Sequence, residues 1–217
     1  MALHHSKDGS PTYFHPGYGE FYHSKNGARS QAEEVFVGLS GIAELPEPRV
    51  LEVGFGLGLN FLASLRAVRQ RGGTLWFWGL EPDPVPVERL EEFLAHCRLA
   101  PEGLEGLLAA WERGQDFVVA GDGYVLKVCF RPVERFEPVE GWADAVYYDP
   151  FSPGANPAAW SRENLARVRV ALRVGGVLVS YAVAGWVRRA LSELGFKVEK
   201  VPGGLGKREW LRAVRIS

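Results

Sequence analysis

The sequence has little that would mark a metal protein, a secreted protein or a membrane protein. Its 217 residues hold two cysteines, Cys97 and Cys129, with no metal-ligand spacing between them; both read as small core residues, and no metal is expected. The longest apolar runs, such as Gly175 to Gly185, fall far short of the roughly 20 residues that span a bilayer. The opening MALHHSKDGS has no secretory apolar region, so the expectation is a soluble, cytoplasmic globular protein with no membrane contact. Internal repeats and low-complexity segments are missing too, as are the GxGxxG dinucleotide fingerprint and the phosphate loop with its Lys-Ser/Thr.

What is present is a chain 47% apolar and 12% aromatic, enough to bury one proper core. The net charge of −1 hides an asymmetry: residues 1–161 carry 13 basic and 22 acidic side chains, and residues 162–217 carry 12 and 4. A basic end of this kind suits a polyanionic partner, although it also suits a solvated surface.

Residues 1–45 read as an N-terminal extension packing on the core, β-rich and broken by the turn signals DGSPT, HPGYG and KNG. From residue 46 to residue 217 strands alternate with helices. Apolar runs at Arg49–Val53, Thr74–Leu80, Ala145–Tyr148 and Val177–Val183 predict strands, and helical spacing is seen at 59–70, 85–96, 104–111, 162–172 and 185–194. Gly121-Asp122-Gly123 predicts a hairpin turn. Strands and helices in this rhythm predict an α/β fold, a Rossmann-like parallel sheet with helices on both faces and an antiparallel C-terminal strand.

Two stretches carry chemistry. VLEVGFGLGLNF (Val50–Phe61) runs strand, glycine loop, helix; Gly54, Gly56 and Gly58 allow a sharp turn and close approach of a ligand to the backbone. Its GxGxG spacing resembles the first motif of class I S-adenosylmethionine-dependent methyltransferases. Glu81 closes the next apolar run, where a carboxylate can accept hydrogen bonds from both hydroxyls of a ribose. In ADAVYYDPFSPGANPAAW (Ala143–Trp160), Asp149 follows a buried run at the point where the strand leaves the sheet. Asp before Pro is a common turn starter. Beside a nucleoside site, however, Asp149-Pro150-Phe151 resembles the D/N-P-P-Y/F signature of amino-group methyltransferases, in which an acid holds the amine N–H or takes its proton.

Nearly the whole chain resembles the MnmC-type tRNA methyltransferases in their stand-alone form without the oxidase domain, enzymes that place the final methyl on 5-aminomethyl-2-thiouridine at the wobble position. The resemblance is carried by SKDGSPTYFHPGYGEFYHSKNGARSQAEEVF, EVGFGLGLNFL, DPFSPGANPAAW, AGWVRRAL and GFKVEKVPGGLGKREWLRA, in that order. It implies a class I methyltransferase with S-adenosylmethionine as cofactor and tRNA, through its anticodon stem-loop, as partner. It further implies Asp149 and Phe151 as catalytic residues. The cofactor would lie against Glu52, Gly54, Phe55, Gly56, Gly58, Asn60, Glu81, Pro82 and Asp149. Lys25, Arg188, Arg189, Lys207 and Arg208 would meet RNA. One departure stands out: where the family carries Gly-Asp to meet the adenine amino group, this chain has Arg131-Pro132, with Glu134 as a possible substitute. Other enzymes would have to make the aminomethyl substrate. Two alternatives stay open, a small-molecule amine methyltransferase or aminopropyltransferase, and a non-catalytic tRNA- or nucleotide-binding module.

Overall fold

The computed structural model describes residues 2–204 and 209–217, so Lys207 and Arg208 lie outside the described residues. Alternation of side chains along each strand decides how the layers form. In β4 (Arg49–Val53) Val50 turns to one face and Leu51 to the other, and in β8 (Ala143–Tyr148) Tyr147 and Tyr148 divide likewise. All four are fully buried, which requires cover on both faces.

Helices supply that cover. On the Val50 face lie α2 (Leu59–Arg69), α3 (Val87–His96) and α4 (Glu105–Glu112), contributing Phe61, Phe93 and Trp111. The Leu51 face is packed by α5 (Arg162–Ala171) and α6 (Gly185–Glu193), through Leu165, Val168 and Leu191. The N-terminal segment forms a small antiparallel sheet from β1 (Leu3–His5), β2 (Pro11–His15) and β3 (Glu20–Phe21). It continues into α1 (Ala28–Gln31), which runs on as a π-helical segment, Ala32–Gly38. Tyr13, Ala28, Val35 and Phe36 are buried in the same cluster as Val50.

The main sheet has eight strands. With β5 (Leu75–Leu80), β6 (Phe117–Gly121), β7 (Tyr124–Cys129), β9 (Leu172–Ser180), β10 (Phe196–Pro202) and β11 (Glu209–Arg215), its order is β10-β11-β9-β8-β4-β5-β7-β6. The five strands from β9 to β7 are parallel, while β6 and β11 run against their neighbours. The C-terminal strand β11 is antiparallel, as expected, and its hairpin with β10 tucks it inward against β9. One expectation needs correction: β9 starts at Leu172 rather than Val177, because a register shift between Ala143 and Ala145 lets the Gly175-Gly176 stretch stay in the sheet.

Successive strands run one way from β4 through β5 to β7 and the other way from β8 to β9. The order reverses between β4 and β8, and in an open α/β sheet a ligand crevice lies outside the carboxyl ends at such a switch point. Gly54 and Asp149 stand at those two ends. Cys97 and Cys129 are buried free thiols. Among the described residues no helix is long and apolar enough to cross a membrane, and no group of three or more His, Cys, Asp or Glu is placed to hold a metal ion.

Candidate active site

The loop after β4 is drawn in by its neighbours. The Gly54 and Phe55 amides both donate to the Leu80 carbonyl at 3.0 Å, and the Asp149 amide donates to the Val53 carbonyl at 3.0 Å. Gly54 and Gly56 take φ of 86° and 54°, in the left-handed region, so the backbone reverses without a Cβ in its way. Glu81, at the end of β5, fastens the loop from the side: one carboxylate oxygen accepts from the Gly56 amide at 2.7 Å and the other from the Asp83 amide at 2.9 Å. Each oxygen keeps a second lone pair for a ligand hydroxyl.

These strand ends open into a cavity of about 510 Å³. Gly54, Phe55, Gly56, Asn60, Glu81, Pro82, Asp149, Phe151 and Lys25 all line it. Two of the residues expected against the cofactor do not. Gly58 is the entry to α2, with φ of 76°, and a Cβ there would press on the Phe55 ring at 2.9 Å, so its role is packing beneath the loop. Glu52 is only 1% exposed and sits behind Asn60, whose amide donates to it at 2.7 Å. Arg188 and Arg189 border a separate shallow groove with Ser192 and Lys200.

Other lining residues come from segments distant in sequence. Tyr18, Glu20, Tyr22 and His23 of the N-terminal sheet region close one side, Tyr181 another, and Glu134 a third. The Glu20 carboxylate takes the Ser152 amide at 2.9 Å and the Ser152 hydroxyl at 2.5 Å, which fastens the loop after Asp149. Tyr181 donates its hydroxyl to the Pro150 carbonyl at 2.9 Å, and the Trp160 indole donates to the Phe151 carbonyl at 2.8 Å. Phe151 stacks on Tyr18 with ring centres 4.3 Å apart, and His15 and Tyr22 meet it at 5.1 and 5.3 Å. The loop carrying Asp149 is thus held from three sides.

The cavity floor is acidic. Burial, offset by the two backbone N–H bonds, pushes the Glu81 carboxyl up to about 6 from its ordinary 4.5. Burial also raises the Tyr22 phenol, with the charges of Glu81 and Asp83 adding to it, and lowers His23 to about 4. Glu81, Glu134 and Asp149 all line this cavity, and carboxylates gathered in this way suit a cationic ligand.

A family model of S-adenosyl-L-methionine-dependent methyltransferases matches residues 99–216. The chain belongs to that family. The MnmC protein of Cupriavidus necator, named for tRNA 5-methylaminomethyl-2-thiouridine biosynthesis and described as bifunctional, is 36% identical over 93% of this chain and 32% of its own length. The corresponding protein of Azoarcus is 37% identical over 97% of this chain and 35% of its own. The chain therefore spans about a third of the length of the curated relatives it matches. Among solved structures, MNMC2 from Aquifex aeolicus superposes with a TM-score of 0.76 at 27% identity, covering 99% of this chain and 70% of that one. A Haemonchus contortus N-methyltransferase complexed with S-adenosylhomocysteine shares the fold, at TM-score 0.51 and 10% identity over 87% of this chain and 53% of that one.

The methyltransferase's residues fit S-adenosylmethionine. A Cβ on Gly56 would come within 3.1 Å of the Tyr22 ring, so the glycine loop leaves a cradle a side chain would fill. Buried Glu81 supplies two acceptors for a diol, and the acidic floor suits a donor with sulfonium and ammonium charges. We expect cofactor affinity to fall as pH is lowered through about 6, because the protonated Glu81 loses its second diol acceptor. The sign for stability of the free protein is opposite. With its folded pKa raised, Glu81 stabilises the fold below its ordinary value, and this contribution is lost as pH rises through about 6. Calorimetric titration between about pH 5 and pH 8 checks the binding step, which Glu81→Gln should remove.

Proposed function

We propose that this methyltransferase transfers a methyl group to the primary amine of 5-aminomethyl(-2-thio)uridine at the tRNA wobble position, giving 5-methylaminomethyl-2-thiouridine. The observation that carries the reading is the carboxylate of Asp149 on the wall of the same cavity as the Gly54–Gly56 loop. When bound, S-adenosylmethionine supplies an electrophilic methyl carbon on sulfur. Gly54, Gly56 and Glu81 would hold it, and Glu134 is the acid on the cavity wall that would meet its adenine amino group in place of the family's Gly-Asp. Arg131 is committed elsewhere, to an ion pair with Asp116.

Asp149 accepts an N–H of the substrate amine, orients its lone pair and takes the proton as the N–C bond forms, the electron pair of the methyl–sulfur bond leaving with the sulfur. Phe151, with Tyr18 stacked on it, offers an aromatic surface against which an extruded base can lie, and the N-terminal aromatics exclude water from the centre. Lys25 lines the cavity and would meet RNA at its mouth, and Arg188 and Arg189 would meet the phosphates of the anticodon stem-loop in their groove. Lys207 and Arg208 complete this reading from outside the described residues. The place of work would be the cytoplasm.

The names of the MnmC relatives support the substrate, and the basic C-terminal quarter supports a nucleic-acid partner over a small amine. The test is incubation of the purified chain with labelled cofactor and tRNA from cells blocked at the aminomethyl stage, followed by nucleoside analysis. Label in the wobble methylaminomethyl nucleoside is expected. Label absent from that tRNA but present in a small amine would overturn the RNA reading.

A further inference from the structure

The floor of the cavity contains a hydrogen-bonded chain that runs from buried Glu52 through Asn60 to Asp149. Asn60, 5% exposed in the first turn of α2, donates from its one amide nitrogen to two carboxylates: to Glu52 at 2.7 Å and to Asp149 Oδ2 at 2.8 Å. The two hydrogens of one NH₂ group are thereby both directed, one down into the core and one out to the catalytic loop. An amide so held cannot flip without presenting its carbonyl oxygen to a carboxylate. Glu52 itself touches no cavity space, and its second oxygen has no hydrogen-bond partner among the described residues.

We propose that Asn60 is a positioning residue for methyl transfer, clamping Asp149 by one amide hydrogen while Glu52 takes the other and locks the amide's orientation. The proposal rests on the reading of Asp149 as the amine acceptor. A hydrogen bond donated to a carboxylate favours its charged form, so the Asn60 clamp both aims Asp149 and keeps it ready to accept a proton. Glu52 suits its part as a neutral acid. Burial pushes its carboxyl well above the ordinary range, the charge of Asp149 raises it further, and the Asn60 N–H opposes both. A neutral acid still accepts through its carbonyl oxygen, and it spares Asp149 the repulsion of a like charge buried behind Asn60.

Other titratable groups surround the Asp149 loop. Glu81 lies across the cavity at the end of β5, Tyr181 and Glu20 act from beyond β9 and from the N-terminal sheet, and His15 approaches Phe151. Asn60 donates to none of them among the hydrogen bonds described, and its amide links Asp149 with Glu52.

The experiment measures kcat/KM for the RNA against pH at saturating cofactor, with cofactor affinity measured separately. Asn60→Ala should move the acid limb up by about one pH unit, a tenfold weaker hold on the ionised form, and lower the plateau about tenfold with cofactor affinity within a few-fold. Asn60→Asp keeps the shape but sets another carboxylate against Asp149, and should move the limb further. Glu52→Gln keeps an oxygen for the Asn60 N–H and should behave like the wild type, whereas Glu52→Ala should follow Asn60→Ala. An unmoved acid limb in both Asn60 variants overturns the clamp, and so does a loss of cofactor affinity in Glu52→Gln, which would make Glu52 a cofactor contact. Full activity of Asp149→Ala would remove the acceptor and the clamp with it. An inactive Asp149→Ala with an unmoved limb at position 60 ends the clamp and leaves the acceptor standing.

Discussion

Asp149→Ala is expected to lower kcat by about a hundred- to ten-thousandfold, the range seen when a positioned acid or base is lost, while S-adenosylmethionine binds within a few-fold of wild type. The separation follows from where the contacts are. The cradle at Gly54 and Gly56 and the two acceptors of Glu81 belong to β4, β5 and their loops. Asp149 follows β8, and the hydrogen bond its backbone N–H donates to the Val53 carbonyl survives the substitution. A group that acts mainly on the developing bond reduces kcat far more than ground-state binding. Single-turnover methylation at saturating cofactor, with calorimetry in parallel, reads both quantities. Asp149→Asn should recover part of the orientation, since its amide oxygen still accepts an N–H, but none of the proton uptake. Equal turnover in wild type and Asp149→Ala would take the acid out of the chemistry.

The residues that lie at strand ends were legible because one local signal marks them: an apolar run stops, and a glycine or an acid follows. Gly54, Glu81 and Asp149 were found in this way, and the parallel register of β4 with β5 and β8 brings all three to one rim. Side chains whose partners are distant in sequence left no such mark. Nothing in the sequence marks Glu20 until Ser152, 132 positions away, is seen on its carboxylate, and the Tyr18–Phe151 stack is equally silent. Glu52 and Gly58 show the converse: neither lines the cavity. The motif spacing places them beside the ligand, but Asn60 stands between Glu52 and the cavity, and the Phe55 ring sits over Gly58. Spacing reports which residues share a loop, and packing decides which of them reach its open side. The inward position of β11 was hidden for a related reason: a hairpin can lay either of its strands against the sheet, and the apolar pattern of Glu209–Arg215 does not choose.

Gly54→Ala is expected to damage fold and cofactor site together. A Cβ at this position would lie 2.8 Å from the Asp149 carbonyl oxygen and 3.0 Å from both the Asp149 carbonyl carbon and Pro150 Cα. All three are backbone atoms, so no rotamer change relieves the contact; β4 and β8 must part at the point where the cavity begins. The φ of 86° adds the strain of a left-handed L-residue. Together these cost about 2–5 kcal/mol, from roughly 1–2 for the backbone conformation and 1–3 for overpacking. For a chain of this size that lowers Tm by roughly 5–15 °C. Cofactor affinity should drop more than about tenfold, because the Gly56 amide, and with it the hold on the Glu81 carboxylate, is displaced with the strand that carries it. Gly72→Ala separates the two effects. Gly72 has φ of 72° but nothing within 4 Å of its Cβ position, so that variant should show the backbone penalty alone, with cofactor binding unchanged. If Gly54→Ala matched Gly72→Ala in both thermal unfolding and calorimetry, the ends of β4 and β8 would have room to spare, and the close approach of Gly54 to Asp149 could not be what shapes the site.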